Sequence, residues 1–195
     1  MELIVLASSS PRRSVLLRQI GLKFEIMIPD VDESIDSHES PELVAQELAY
    51  LKALSAADRL KRNGRYDCLV IGADTIVVKD GILGKPENSN QAYNMLKSLQ
   101  GSWHEVITGL TVIDCAGMRS IKCFEKTLVK MKSLSDDEIW SYIDTGEPLD
   151  KAGAYGIQGI GALLVERIEG CYFNVVGLPL SRLSEVFGQF GVSLL

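Results

Sequence analysis

Short apolar runs and stretches of helical periodicity alternate along nearly the whole chain. The first run, Leu3-Ile4-Val5-Leu6-Ala7, has no polar break and reads as a buried strand. Ser8-Ser9-Ser10 then leads into Pro11 and an apolar pattern at helical spacing. A helix is expected over residues 11–20, with Pro11 at its first position, Ser10 as the N-cap whose hydroxyl accepts from a backbone N–H, and Gly21 as the stop. Residues 24–28 alternate enough to predict a second strand. Ser40-Pro41-Glu42 opens another helix by the same logic, with Val44, Leu48 and Leu51 on its apolar face and Leu54 at the edge of that face. Lys52 falls on the opposite edge, where it would bury its stem and extend its ammonium outward. Asn63-Gly64 closes that segment.

Cys68-Leu69-Val70-Ile71-Gly72 has the near-continuous apolar character of a central strand covered on both faces, and it runs out at Ala73-Asp74-Thr75. Residues 75–79 and 82–86 around Asp80-Gly81 predict a hairpin with a type I′ turn. Ser89 is placed to cap a helix ending at Gly101, and residues 106–114 and 120–131 read as long strands. In the second of these Ile121, Cys123, Glu125, Thr127 and Val129 share one face. Ser135 and Glu138 form a capping box. A glycine-rich loop covers 150–159, residues 163–168 and 172–176 predict a final hairpin around Glu169-Gly170, and Pro179 begins a helix reaching Phe190. Strands and helices are intermixed, and no repeat, low-complexity tract or linker interrupts them. The expected architecture is a mixed α/β fold in one domain over residues 1–195: a twisted central sheet with helices on both sides, and two lobes around a cleft.

Composition narrows the chemistry. The chain has 195 residues, 46% of them hydrophobic, enough for a sizeable core. Its formal net charge of −6 argues against a nucleic-acid or anionic-membrane partner, both of which need a basic face, but leaves room for a small basic pocket. No apolar run approaches the roughly 20 residues of a membrane span, and Glu2 with no basic start is not a secretory pattern. A cytoplasmic protein is expected. The four cysteines, at 68, 115, 123 and 171, have no CxxC spacing and read as free thiols of a reducing compartment. With only His38 and His104, a zinc site is not expected; any metal would be a hard cation, magnesium or manganese, held by carboxylates and phosphates.

The candidate chemistry begins at the first helix. A strand feeding a helix N-terminus offers free N–H groups to an anion, and Arg12 and Arg13 add two permanent charges; the alternative is a capped surface helix with solvated arginines. Asp74 at the end of a central strand stands where ligand sites form in α/β sheets, or it simply starts a turn. Lys52, Lys85 and Lys151 are candidate phosphate partners or solvated lysines, and Glu33 lies in an acidic loop. There is no GxxxxGK[ST] and no GxGxxG.

Taken together, Ser8-x-Ser10-Pro11-Arg12-Arg13, Gly72-Ala73-Asp74-Thr75, Gly84-Lys85-Pro86 and Asp150-Lys151-Ala152-Gly153-Ala154-Tyr155-Gly156-Ile157-Gln158-Gly159 resemble the Maf family of house-cleaning nucleoside triphosphate pyrophosphatases, historically called septum-formation inhibitor proteins. The resemblance runs in order over residues 6–180. It implies an inosine-triphosphatase-like fold, hydrolysis of a nucleoside triphosphate to its monophosphate and pyrophosphate, a divalent cation (magnesium or manganese) and a homodimer. Residue by residue it implies that Asp74 is the proton acceptor, that Ser8, Arg13, Lys52 and Lys85 bind phosphate, that Glu33 and Asp74 hold metal, and that Arg12, Thr75 and Gln158 select the base. The loop Ala154-Tyr155-Gly156-Ile157-Gln158-Gly159 looks like that of the dTTP- and UTP-directed branch, with modified pyrimidine nucleotides as further expected substrates. The alternative is a nucleotide-binding regulator of cell division with little hydrolysis.

The chemistry is coherent on its own terms. A triphosphate carries about four negative charges near neutral pH, which a hard cation and basic side chains can neutralise as pyrophosphate departs. A carboxylate can take the proton of an attacking water. A carboxamide offers both a donor and an acceptor to the N–H and carbonyl of uracil or thymine.

Overall fold

The computed structural model describes residues 3–32 and 39–195. Glu33, expected to help hold metal, lies outside the described residues. Among the described residues seven strands make one mixed sheet: β1 (Leu3–Ala7), β2 (Glu25–Ile26), β3 (Cys68–Val78), β4 (Ile82–Leu83), β5 (Trp103–Asp114), β6 (Ser120–Met131) and β7 (Val165–Glu169). The order is β2-β1-β3-β5-β6-β7, with β4 paired to β3. β1 is parallel to β2 and to β3, whereas β4 is antiparallel to β3 and β7 to β6. The helices are α1 (Pro11–Gln19), α2 (Pro41–Arg62), α3 (Ser89–Leu99), α4 (Asp136–Ile143), α5 (Tyr172–Val176) and α6 (Leu180–Gln189).

The chain forms two compact units, each discontinuous in sequence. The first is Met1–Asp74, Thr108–Glu125 and Gly177–Leu195; the second is Thr75–Ile107 and Lys126–Val176. In the first unit one core cluster joins Val5, Ala7, Val70, Ile113 and Cys115 to Ala53, Ala56 and Ala57 of α2. The alternate residues of β3, Leu69, Ile71 and Ala73, are buried as well, so that strand is covered on both faces. The second unit has its own core, in which Leu96 and Leu99 of α3, Ile139 and Ile143 of α4, Val129 and Met131 belong to one cluster.

Several elements differ from the sequence pattern. Ser10 holds the N-cap backbone position, but its hydroxyl makes no capping bond; Ser8 Oγ instead accepts from the Ser10 N–H at 3.1 Å. The strand expected over 24–28 shrinks to the two residues of β2, both exposed on the sheet edge. β3 does not stop near residue 75: it runs unbroken through Asp74 into the hairpin, because the apolar positions Ile76 and Val77 continue its buried pattern. The hairpin turn is not type I′. Val78 pairs with Ile82, leaving three connecting residues, with Asp80 at φ 55 and Gly81 at φ 158. α3 is capped one residue early, by Asn88, whose side chain accepts from the Gln91 N–H at 2.9 Å.

The final hairpin is replaced by strand β7 followed by helix α5. Thr127 Oγ1 accepts from the Cys171 N–H at 3.0 Å and donates to the Cys171 carbonyl at 3.1 Å. Those are the groups a returning strand would have used for its ladder, so the chain turns helical instead. The capping box at Ser135 forms with both of its bonds, and the helix from Pro179 forms as α6.

Candidate active site

In the first unit the approach of α2 to the sheet sets the geometry. A Cβ at Gly72 would lie 2.2 Å from the Ala49 carbonyl and 2.8 Å from Ala53 Cβ; one at Gly109 would lie 2.0 Å from the Ala45 carbonyl. Glycine on the strands facing alanine on the helix lets the two backbones close on each other. Alanines 45, 49, 53, 56 and 57 therefore form the centre of the buried face, and Leu51 and Leu54 sit at its half-buried margin. Gly72 and Asp74 are two apart on β3 and share the face turned to this helix. Lys52, next to Ala53, reaches that face with its Nζ 2.6 Å from Asp74 Oδ1. The side chains are 9% and 12% exposed. Lys52 thus turns its ammonium inward, against the expectation that it would extend to solvent. A buried ion pair is weak evidence for stability, because desolvation offsets much of the attraction. Its retention at this point singles out Asp74 as a carboxylate held in place by a fixed cation.

The end of β1 carries a second group of polar residues in the same unit. Arg13 is buried on the first turn of α1; its Nε donates to the Gly177 carbonyl at 2.7 Å and its Nη1 to Ser8 Oγ at 3.2 Å. Ser8 Oγ thereby accepts both from Arg13 and from the Ser10 N–H. A hydroxyl that accepts twice still has its own proton to give. Ala7 pairs with Gly72 across the sheet, so Ser8 leaves β1 at the level where β3 approaches Asp74. Arg12 is half-buried beside them on α1. Four expected residues of this unit, Ser8, Arg13, Lys52 and Asp74, are therefore all buried and fall into two bonded pairs.

The second unit holds Thr75, Lys85 and Gln158. Thr75 is half-buried on β3 and Lys85 is exposed just past β4. The Gly153 N–H donates to the Gly84 carbonyl at 3.0 Å, tying the glycine-rich loop to the residue before Lys85. Gly153 has φ +67, and a Cβ there would lie 2.9 Å from Val77 Cγ1, so both conformation and space call for glycine. Gln158 is half-buried at the N-cap position of a short 3-10 turn over Gly159–Leu163, and its side chain makes no capping bond. Lys151 turns onto its own loop, with Nζ 2.7 Å from Asp150 Oδ1 and bonded to the Glu147 carbonyl.

Residues missed in the sequence support this loop. Glu147 Oε1 accepts from the Tyr142 hydroxyl at 2.9 Å and from the Gly161 N–H at 3.1 Å, and Oε2 accepts from the Ile160 N–H at 3.0 Å. Tyr142 Oη in turn accepts from the Gly156 N–H at 3.3 Å. Burial alone would raise the Glu147 carboxyl; the N–H of Gly161, the Tyr142 hydroxyl, the N–H of Ile160 and the Lys151 charge hold it below the ordinary carboxylate value instead. Burial, and secondarily the bond to Glu147, pushes the Tyr142 hydroxyl up. His104 Nε2 lies 2.6 Å from the Tyr155 hydroxyl, the rings at right angles. Burial, with the nearby Lys79 charge, lowers His104 to about 4, so it is neutral near pH 7. A loop with four glycines in residues 150–161 has many backbone N–H groups to satisfy; asking where they go would have pointed to the carboxylates just upstream, Glu147 among them.

Among the described residues no group of three or more His, Cys, Asp or Glu side chains is arranged to hold a metal. One described carboxylate at the site, Asp74, is too little for a preformed cage. It suits a magnesium-type ion, which keeps most of its shell as water and substrate phosphate and takes one or two carboxylates from the protein.

Known proteins share this fold and much of this sequence. The structure resembles a HAM1 protein from Coxiella burnetii, with a TM-score of 0.55 over 97% of this chain and 100% of that one at 15% identity. That likeness is one of fold and agrees with the mixed α/β architecture expected from the sequence. A dTTP/UTP pyrophosphatase of Acetivibrio thermocellus is 58% identical, covering 100% of this chain and 98% of its own length. A dTTP/UTP pyrophosphatase of Alkaliphilus oremlandii is 51% identical, covering 100% of both. The family model described as Maf-like protein matches residues 3–190, a span that takes in all four motifs, and the chain belongs to that family.

Proposed function

We propose that this protein hydrolyses dTTP and UTP to their monophosphates and pyrophosphate, and so removes unwanted pyrimidine triphosphates from the nucleotide pool. Relatives alike over their full length bear that activity in their names. The observation in the fold that carries the reading is the Asp74 carboxylate on central strand β3, buried and held 2.6 Å from Lys52. An attacking water needs a base whose position does not wander, and a carboxylate fixed by a buried ammonium supplies one. On the first unit, Asp74 takes the proton of that water. Lys52 orients Asp74 and adds positive charge for the phosphates, while the Ser8 hydroxyl and Arg13 present donors at the start of α1, whose dipole also favours an anion. Arg13 is anchored by Gly177 and Ser8, so its guanidinium is preorganised rather than recruited on binding. Exposed Lys85 on the second unit serves the phosphates, and Arg12 on the first unit with Thr75 and Gln158 on the second select the base. A hard divalent cation, with Asp74 and Glu33 as its protein ligands, would supply charge neutralisation of the triphosphate.

The test is pyrophosphate release with magnesium across dTTP, UTP, CTP and GTP, for the parent and Gln158→Glu. The change swaps an amide donor for a second acceptor, which cannot pair with the N3–H and a carbonyl together. The expected result is release from dTTP and UTP, with kcat/KM for both falling well beyond about tenfold in the variant and a smaller loss for CTP. Equal losses for all pyrimidines would remove Gln158 from base selection. Absence of release from any nucleotide would overturn the enzyme reading in favour of a nucleotide-binding regulator.

A further inference from the structure

Gln158 occupies the position from which a side chain ordinarily caps the turn that follows it. Its backbone is extended (φ −101, ψ 170) and the 3-10 turn Gly159–Leu163 begins at the next residue. A side chain at an N-cap normally accepts from the N–H of the second or third residue of the turn, which here are Ile160 and Gly161. Both donors are already taken, one by each oxygen of the Glu147 carboxylate, at 3.0 and 3.1 Å. The cap is thus supplied from eleven positions upstream of the N-cap residue, through a group that is itself fixed by the Tyr142 hydroxyl. Tyr142 also receives the Gly156 N–H, so one tyrosine–glutamate pair holds the chain on both sides of Gln158.

The glycines of the loop make room for this arrangement. A Cβ at Gly159, which has φ +64, would lie 2.7 Å from Glu147 Oε2. A Cβ at Gly161 would lie 2.2 Å from the Gly156 carbonyl and 2.6 Å from the Tyr142 hydroxyl. Side chains at either place would push the carboxylate out of reach of the two N–H groups.

We propose that Glu147 is a positioning residue for base selection: by capping the 159–163 turn in place of Gln158, it leaves the Gln158 carboxamide free to pair with a uracil or thymine ring. The inference rests on the reading of Gln158 as the base selector. If Glu147 is removed, the N–H groups of Ile160 and Gly161 are exposed to the carboxamide beside them, and Gln158 turns inward to bond locally. A ligand amide lost in this way affects discrimination between bases, because the wrong base no longer leaves a buried polar group unpaired. A purely structural glutamate would instead lower the rates on all nucleotides alike.

The experiment uses the full chain and measures kcat/KM for dTTP, UTP and CTP in four variants: Glu147→Ala, Glu147→Gln, Gln158→Ala and the double Glu147→Ala/Gln158→Ala. Thermal unfolding of each confirms the fold. Glu147→Ala is expected to lower the dTTP-to-CTP ratio by about tenfold or more, and Glu147→Gln by less, because one oxygen still accepts. In the Gln158→Ala background, Glu147→Ala should leave the ratio where Gln158→Ala alone has put it. A crystal structure of Glu147→Ala should show the Gln158 oxygen on the Ile160 or Gly161 N–H. If Gln158→Ala shifts the ratio but neither Glu147 variant does, the inference is overturned while the reading of Gln158 stands. A further shift in the double variant also overturns it. An unchanged ratio in Gln158→Ala removes the base-selector reading itself, and this inference with it. Should Glu147→Ala fail to fold, Glu147→Gln and Tyr142→Phe decide: a lowered ratio in both supports the proposal, and parental ratios in both refute it.

Discussion

Replacing Asp74 by Asn keeps the shape of the side chain and removes its charge. The structure makes the consequence twofold. The first effect is on turnover: a group that takes a proton from water is lost, which typically lowers the rate by about 10² to 10⁴. The second is on stability, because the partner is a Lys52 ammonium whose side chain is only 9% exposed. Stripping a buried ion of its partner costs about 3–5 kcal/mol. The Asn oxygen can still accept from Lys52, and a hydrogen bond to a charged group is worth about 1.5–3 kcal/mol. The net loss is then roughly 2 kcal/mol, or a fall in Tm of about 4–8 °C for a chain of this size. Lys52→Met strands the carboxylate in the same way. The double variant Lys52→Met/Asp74→Asn buries no ion at all and should be less destabilised than the sum of the two singles. Urea unfolding gives the stabilities and pyrophosphate release gives the rates. Parental turnover by folded Asp74→Asn would refute the base assignment, and additive single-variant losses would refute the coupling of the pair.

Three further outcomes are expected. Gly72→Ala forces a methyl onto the Ala49 carbonyl and should destabilise by about 1–3 kcal/mol or more in urea unfolding, whereas Gly84→Ala, with open space around it, serves as the near-neutral control. His104 has a folded-state value of about 4 against an ordinary 6.5, so the unfolded chain binds its proton first. Its contribution, about 3 kcal/mol, is present above pH 6.5 and lost as pH falls to 4; the urea midpoint of His104→Asn should fall less steeply across that window than the parent's. EDTA should abolish turnover and magnesium or manganese restore it, while thiol-blocking reagents leave it unchanged: burial, and for Cys115 also its bond with Cys68, pushes Cys115 up to about 12, and burial pushes Cys123 up to about 11.

Local signals carried much of this protein. Continuous apolar runs marked β1 and the first half of β3, and Pro11, Pro41 and the Ser135–Glu138 box marked helix starts, because strand burial and helix caps are decided by neighbours in sequence. The motifs around Ser8, Asp74, Lys85 and Gln158 were visible for the same reason: each is a contiguous string whose residue types suit phosphate, proton or base. Where the pattern misled, a distant group had intervened. Thr127 claimed the backbone of Cys171 and turned an expected strand into α5. Alanines of α2 met Gly72 and Gly109, and so fixed which face of that helix is buried. That packing turned Lys52 inward onto Asp74, twenty-two positions away. Glu147 took the cap that Gln158 was placed to make, and Arg13 was locked by the carbonyl of Gly177. Sequence alone determined which groups this protein has for its chemistry. Tertiary structure decided which of them are paired and which are left to act, because that depends on the close approach of backbones far apart in the chain.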